Sequence, residues 1–139
     1  MSRFFEQTFG VYFDDLDPFR ILHNARYLLL FERALGAFWM ELGFGSFQDD
    51  PDQFHLVARN EVNYLTPVAG VGRVRVRVFC EKIGTSSLQL GFRLLPMDRD
   101  EDHARGSRTI VRVDPQTMRA VPWSDRFREV MNPYLEAKT

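Results

Sequence analysis

Only one cysteine, Cys80, occurs among the 139 residues. A lone thiol excludes an intrachain disulfide framework and a cysteine-cluster metal site, and it suits a reducing compartment. Histidine is nearly as scarce. His23, His55 and His103 lie far apart, with no H-x-x-x-H pair for zinc. Charge of one sign is missing too: Lys+Arg 18 against Asp+Glu 19 leaves a net charge of -1. That argues against broad nucleic-acid binding, which needs a large basic surface. No long uncharged apolar run exists either. The most apolar stretch, 27–44, is broken by Glu32, Arg33 and Glu41, whereas a membrane span takes about 20 mostly apolar residues. The first residues lack the apolar core of a secretory signal. The expectation is a soluble cytoplasmic protein.

Catalytic signatures of fixed spacing are also absent. Gly84-Thr85-Ser86-Ser87-Leu88 fails the nucleophile-elbow pattern at its last place, and there is neither a G-x-G-x-x-G nor a P-loop. Asp98, Asp100 and Asp102 imitate the start of a calcium loop. His103 stands at the turn position that needs glycine, and Thr109 where the bidentate glutamate belongs, so a solvated hairpin tip is the better reading. No metal site is expected from these patterns.

What is present is apolar and aromatic. Hydrophobic residues make up 45% of the chain, and Phe 13 is the unusual count. A chain of this size buries roughly 70% of its unfolded surface, enough for one domain over 1–139 without a covalent staple. Alternation over 8–13 puts Phe9, Val11 and Phe13 on one side of a short strand. The acidic segment 14–23 reads as a loop. Asn24 is a good N-cap for a helix over 25–42, and Gly43 is a natural stop. Tyr27, Phe31, Ala34, Leu35, Phe38 and Leu42 repeat at helical spacing. Leu28, Leu30, Ala37 and Trp39 widen that stripe until the helix reads as buried and wrapped.

Strands suited to the wrapping follow at 55–64, 73–81, 88–94 and 109–114, and a short helix at 125–131. In the second of these strands Val74, Val76, Val78 and Cys80 face one way and Arg73, Arg75 and Arg77 the other. The arginine row reads as a solvated face or a docking strip for an anionic ligand, with Arg105 and Arg108 nearby in sequence. Cys80 reads as a structural thiol. The architecture expected is α+β, with a long helix packed on a sheet of about five antiparallel strands.

The segment that invites chemistry is 11–27, Val-Tyr-Phe-Asp-Asp-Leu-Asp-Pro-Phe-Arg-Ile-Leu-His-Asn-Ala-Arg-Tyr. Its carboxylates run into a helix N-terminus, whose free amides carry roughly half a positive charge. Such a tip holds anions and can stabilise a developing oxyanion. A carboxylate beside it can attack a carbonyl or activate water. The same residues are also ordinary caps and dipole partners, so the pattern alone leaves both readings open.

Asp15-x-Asp17, then His23-Asn24-Ala25-Arg26-Tyr27, then Phe31-Glu32-Arg33-Ala34 resembles the hot-dog-fold acyl-CoA thioesterases. More narrowly it is similar to the 4-hydroxybenzoyl-CoA thioesterase and YbgC-like branch. Arg59-x-x-Val62-x-Tyr64-x-x-Pro67 resembles that family's second strand and following turn. Gly84-Thr85-Ser86 resembles its tight hairpin, and Val113-Asp114-Pro115 the end of its last strand.

The resemblance implies an acyl thioester as substrate, on coenzyme A or on acyl-carrier protein, with coenzyme A entering as part of the substrate and no separate cofactor or metal. It implies Asp17 as nucleophile or general base and the amide near Asn24 as oxyanion donor. Tyr27, Phe19, His23, Glu32, Arg59, Thr85 and Ser86 become substrate-binding candidates, Glu32 with a structural ion pair as its other reading. A homodimer or homotetramer with sites between protomers is implied as well. A non-catalytic acyl-CoA-binding protein and a hot-dog hydratase are the alternative functions. Phe19 and Arg20 depart from the small residues the family carries there, and His23 sits one place from the family's histidine. Phe19, Phe38, Trp39, Phe44 and Phe47 are candidates for an acyl slot or for the core.

Overall fold

The computed structural model describes residues 3–44 and 50–136; Phe47 lies outside them. The order is β1 (Phe5–Val11), α1 (Asn24–Glu41), β2 (His55–Tyr64), β3 (Gly72–Ile83), β4 (Ser87–Leu95), β5 (Ala104–Arg112) and α2 (Asp125–Met131). The strands form one sheet in the order β1-β3-β4-β5-β2, every neighbouring pair antiparallel. This is the α+β hot-dog arrangement expected from the sequence.

Alternation explains the sheet. Val74, Val76, Val78 and Cys80 from β3 are buried on the face that meets α1, as are Leu88, Leu90, Phe92 and Leu94 from β4. Helix α1 answers with Tyr27, Leu30, Phe31, Ala34, Leu35, Phe38 and Trp39, a stripe at three- and four-residue spacing. Phe31 stacks on Phe92 with ring centroids 4.0 Å apart. Burying such a ring contributes about 2–3 kcal/mol. Phe38, Trp39 and Phe44 belong to this core.

Four expectations need correction. The first strand ends at Val11, and Phe13 sits in a 3-10 turn with 84% of its surface exposed. There Asp15 Oδ2 accepts the Tyr12 N–H at 2.8 Å and pulls the chain out of the strand. The helix begins at Asn24 and is capped by His23, whose Nδ1 accepts the Ala25 N–H at 3.1 Å. The last strand starts at Ala104, so Arg105 and Gly106 are sheet residues. Finally, α1 is covered on one face only: Met40 and Gly36 are exposed, and Leu28, Leu29 and Ala37 are half-buried. One five-stranded sheet reaches only one side of a helix.

The arginine row is largely neutralised. Arg75 reaches Asp100 at 2.8 Å and Arg77 reaches Glu6 at 3.1 Å. Asp98 and Asp102 pair with Arg99 and Arg93 at 2.9 and 2.6 Å. Arg105 and Arg108 do not converge: Arg105 pairs with Asp102, while Arg108 lies under α1 against the Phe31 ring. No helix among the described residues is long and apolar enough to cross a membrane.

Candidate active site at the start of the long helix

The 16–23 loop is built by its own main chain. Asp17 N–H donates to the Ile21 carbonyl at 2.9 Å, and Arg20 N–H to the Asp17 carbonyl at 2.8 Å. The turn requires Arg20 to take a left-handed conformation, φ 61°. An arginine therefore adopts the shape that a glycine would supply without steric cost. The loop is tied to the 68–70 strand-like segment by Leu22 N–H to the Val68 carbonyl and Gly70 N–H to the Arg20 carbonyl, both 2.9 Å.

These ties frame a cavity of about 640 Å³. Asp17, Phe19, His23, Asn24 and Tyr27 all line it. Asp17 is half-buried; its Oδ1 accepts the Phe19 N–H at 2.8 Å and the Ile21 N–H at 3.4 Å. Its Oδ2 has no hydrogen bond among the described residues. At the α1 start, His23 caps the Ala25 amide, and the Arg26 amide bonds the His23 carbonyl. The Asn24 N–H has no partner among the described residues. Asp17, with one carboxylate oxygen unspent, and Asn24, with its amide unspent, thus line one cavity. An imidazole that accepts at Nδ1 carries its N–H at Nε2.

The cavity's remaining wall was not foreseen. Tyr64, Leu65, Thr66 and Pro67 supply it, with Pro18, Ile21 and Leu22. Tyr64 packs edge-on against Tyr27, centroids 4.8 Å apart, and its hydroxyl donates to the Asn24 carbonyl at 3.3 Å. This joins the end of β2 to the start of α1. Burial pushes the Tyr27 phenol above its usual range; Tyr64 and the Asp17 carboxylate add to the rise. Tyr27 therefore stays a neutral hydroxyl beside Asp17 at ordinary pH.

Residues 11–131 match the family described as the thioesterase-like superfamily. The chain belongs to that superfamily. Among solved structures, the PA5185 protein of Pseudomonas aeruginosa is 22% identical, with TM-score 0.85, over 96% of this chain and 93% of its own. The SAV2348 protein of Staphylococcus aureus, solved in complex with CoA, is 15% identical with TM-score 0.86, over 100% and 90%. Slr0204 of Synechocystis, a 1,4-dihydroxy-2-naphthoyl-CoA thioesterase, is 12% identical with TM-score 0.80, over 94% and 96%. At these identities the likeness is one of fold. A search of curated proteins finds no significant match.

In this thioesterase-like chain the other candidate residues lie away from the cavity. Glu32, 66% exposed, pairs with Arg108 at 3.2 Å, an ion pair formed within the chain. Arg108 itself is only 5% exposed and also donates to Asn60 at 2.8 Å. Arg59 lies on β2 and pairs with Glu61 at 3.1 Å. Thr85 and Ser86 form the β3–β4 hairpin at the opposite end of the sheet, beyond Ile83 and Leu88. Their carbonyls accept from Trp123 and Arg112 at 3.0 and 2.8 Å. The missed residues carried a weak signal: Thr66-Pro67 punctuates the chain just after β2, and Tyr64 is that strand's last helix-facing position.

Proposed function

We propose that the chain hydrolyses an acyl-CoA thioester to a free acid and coenzyme A, with Asp17 as the catalytic residue. The reading rests on one observation: Asp17 and Asn24, the first residue of α1, line the same cavity, and among the described residues the Asn24 amide is unpaired. Membership of the thioesterase-like superfamily and the CoA held by the Staphylococcus aureus relative support it.

In the general-base route, water attacks the thioester carbonyl while Asp17 Oδ2 takes its proton. The carbonyl oxygen becomes an oxyanion against the Asn24 N–H. The C–S bond then breaks, and the proton passes to the departing thiolate. In the nucleophilic route, Asp17 attacks first, the thiolate leaves, and water cleaves the resulting anhydride. Tyr27 as a neutral hydroxyl beside the carboxylate serves either route. His23 offers its Nε2–H at the cavity wall, and Phe19 narrows the mouth. The chemistry needs no metal or separate cofactor.

The narrower assignment is to the 4-hydroxybenzoyl-CoA thioesterase and YbgC-like branch, as a cytoplasmic enzyme. Strand β2 supports dimerisation. Among the described residues it pairs only with β5 and has its other edge open, and it exposes Leu56 and Val57. Two copies joined along β2 would place the cavity, which borders Tyr64, beside the seam, and dimers of this kind can pair into tetramers.

The test is thiol release from a panel of acyl-CoAs by the parent chain and by Asp17→Asn. The expected loss is at least about a hundredfold in kcat, in keeping with a general base. Undiminished turnover in Asp17→Asn refutes the assignment. Coenzyme A binding without thiol release replaces it with a binding protein.

A further inference from the structure

A hollow of about 310 Å³ lies on the sheet face turned away from α1 and shares no residue with the cavity at the start of that helix. Strand register builds it. Glu61 on β2, Ser107 on β5 and Gly91 on β4 are consecutive cross-strand partners. Gly91 has no side chain, so Phe79 from β3 lays its ring across the space a Cβ would take. The Glu81 carboxyl carbon comes within 3.0 Å of that same space. Two carboxylates thus stand at the ends of a short line with Ser107 between them. From β2 to β4 is two strand spacings, about 10 Å.

Three observations set this hollow apart from ordinary sheet surface. Ser107 lines it and is only 9% exposed, yet its hydroxyl has no hydrogen bond among the described residues. A hydroxyl this far from water normally has a partner. Negative charge is in excess there. Burial pushes the Glu81 carboxyl above its usual range, and Glu136 and Glu61 push it further; the long Gln89 bond, 3.5 Å, and Arg105 oppose them. Arg105 is itself paired with Asp102 at 3.1 Å. Arg59 holds Glu61 at 3.1 Å with both side chains exposed, where such a pair is worth little. Finally, no three acidic or histidine side chains among the described residues gather closely enough to hold a metal ion. The charge is strung along the hollow, which suits an extended cation.

We propose that this hollow binds a linear polyamine, with one ammonium at Glu81, a second at Glu61, an N–H donated to the Ser107 hydroxyl oxygen between them, and the methylenes along the Phe79 ring. Glu136, which also lines the hollow, adds a third carboxylate. A terminal ammonium brings three donors and no acceptor, and this lining offers it acceptors. An aromatic ring accommodates cations as well as methylenes. The volume falls at the small end of ligand pockets. The proposal stands apart from the thioesterase reading, since it uses none of that cavity's residues.

The experiment is a calorimetric titration of the parent chain and its variants with spermidine, putrescine and magnesium ion at physiological ionic strength. The parent should bind spermidine more tightly than putrescine, and putrescine more tightly than magnesium. Glu81→Gln should weaken spermidine about tenfold, the loss of one charge-assisted contact. Ser107→Ala should weaken it about threefold, the loss of one ordinary hydrogen bond, and Glu81→Lys should abolish it. Glu129→Gln, exposed on α2, removes the same charge elsewhere and should leave affinity unchanged. Thermal melts establish that each variant is folded; spermidine should raise the Tm of the parent and not that of Glu81→Lys. No binding by the parent overturns the proposal, as does unchanged affinity in both Glu81→Gln and Ser107→Ala. Magnesium binding as tight as spermidine, or equal losses in Glu81→Gln and Glu129→Gln, overturns it too, because either marks diffuse counterion attraction.

Discussion

Replacing Arg20 by glycine should stabilise the protein, and the size of the gain follows from one dihedral angle. Arg20 has φ 61°. An L-residue in the left-handed region costs about 1–2 kcal/mol. Glycine removes that cost but is freer in the unfolded chain, a penalty of about 0.5–1 kcal/mol. The net expectation is about 0.5–1 kcal/mol of stabilisation, or a rise in Tm of about 2–4 °C at this chain length. Among the described residues Arg20 bonds only through its main chain: its N–H reaches the Asp17 carbonyl, and its carbonyl accepts from Gly70. Arg20→Ala is the decisive companion. Alanine keeps the strain and removes the guanidinium, so its stability should match the parent. Chemical denaturation of all three chains gives the answer. If Arg20→Ala is destabilised and Arg20→Gly gains nothing, the side chain holds the loop and the strain argument is wrong. Met118, φ 60°, repeats the test at an independent turn.

Three further outcomes follow from burial and packing. Gly106→Ala should cost about 2 kcal/mol or more in urea melts, because a Cβ there overlaps the Glu61 carbonyl oxygen and the Phe92 ring. His55 titrates below its ordinary range, through burial first, with Arg108 adding to the fall. The unfolded chain therefore takes up this proton more readily, so stability present above about pH 6.5 declines as the pH falls; His55→Gln should flatten that decline in melts between pH 7 and 5. Cys80 is fully buried and its thiol is pushed up to about 12. A disulfide reagent at pH 8 should leave it untouched until urea is added, and Cys80→Ser should keep its turnover.

Much of the architecture was legible because it depends on repeats within one element. The α1 stripe, the alternation in β3 and β4, the Gly43 stop and the 125–131 helix are all readable from spacing alone. The misplacements arose where a single local bond outweighed a pattern. Asp15 ends β1 by bonding Tyr12, and an imidazole rather than an amide side chain caps α1. Gly106 lies before the strand expected at 109–114, yet it is a strand residue whose missing side chain lets Phe92 and β2 approach. At the site, Asp17, Phe19, His23, Asn24 and Tyr27 were found together because they lie within eleven consecutive residues. Tyr64 was missed because only the sheet register carries it to Asn24, forty positions away. Glu32 found its partner seventy-six positions away, a pairing no local pattern encodes.

The stitching between the 16–23 loop and the 68–70 segment has a design consequence. Its threads are peptide groups: Leu22 to Val68, Gly70 to Arg20, Asp17 to Ile21. A seam sewn this way is indifferent to what the flanking side chains are. Positions 18, 19 and 65 can therefore be exchanged to reshape the chamber's entrance while its rim keeps its outline, which makes this corner a tractable place to retune acyl selectivity under the proposed thioesterase function.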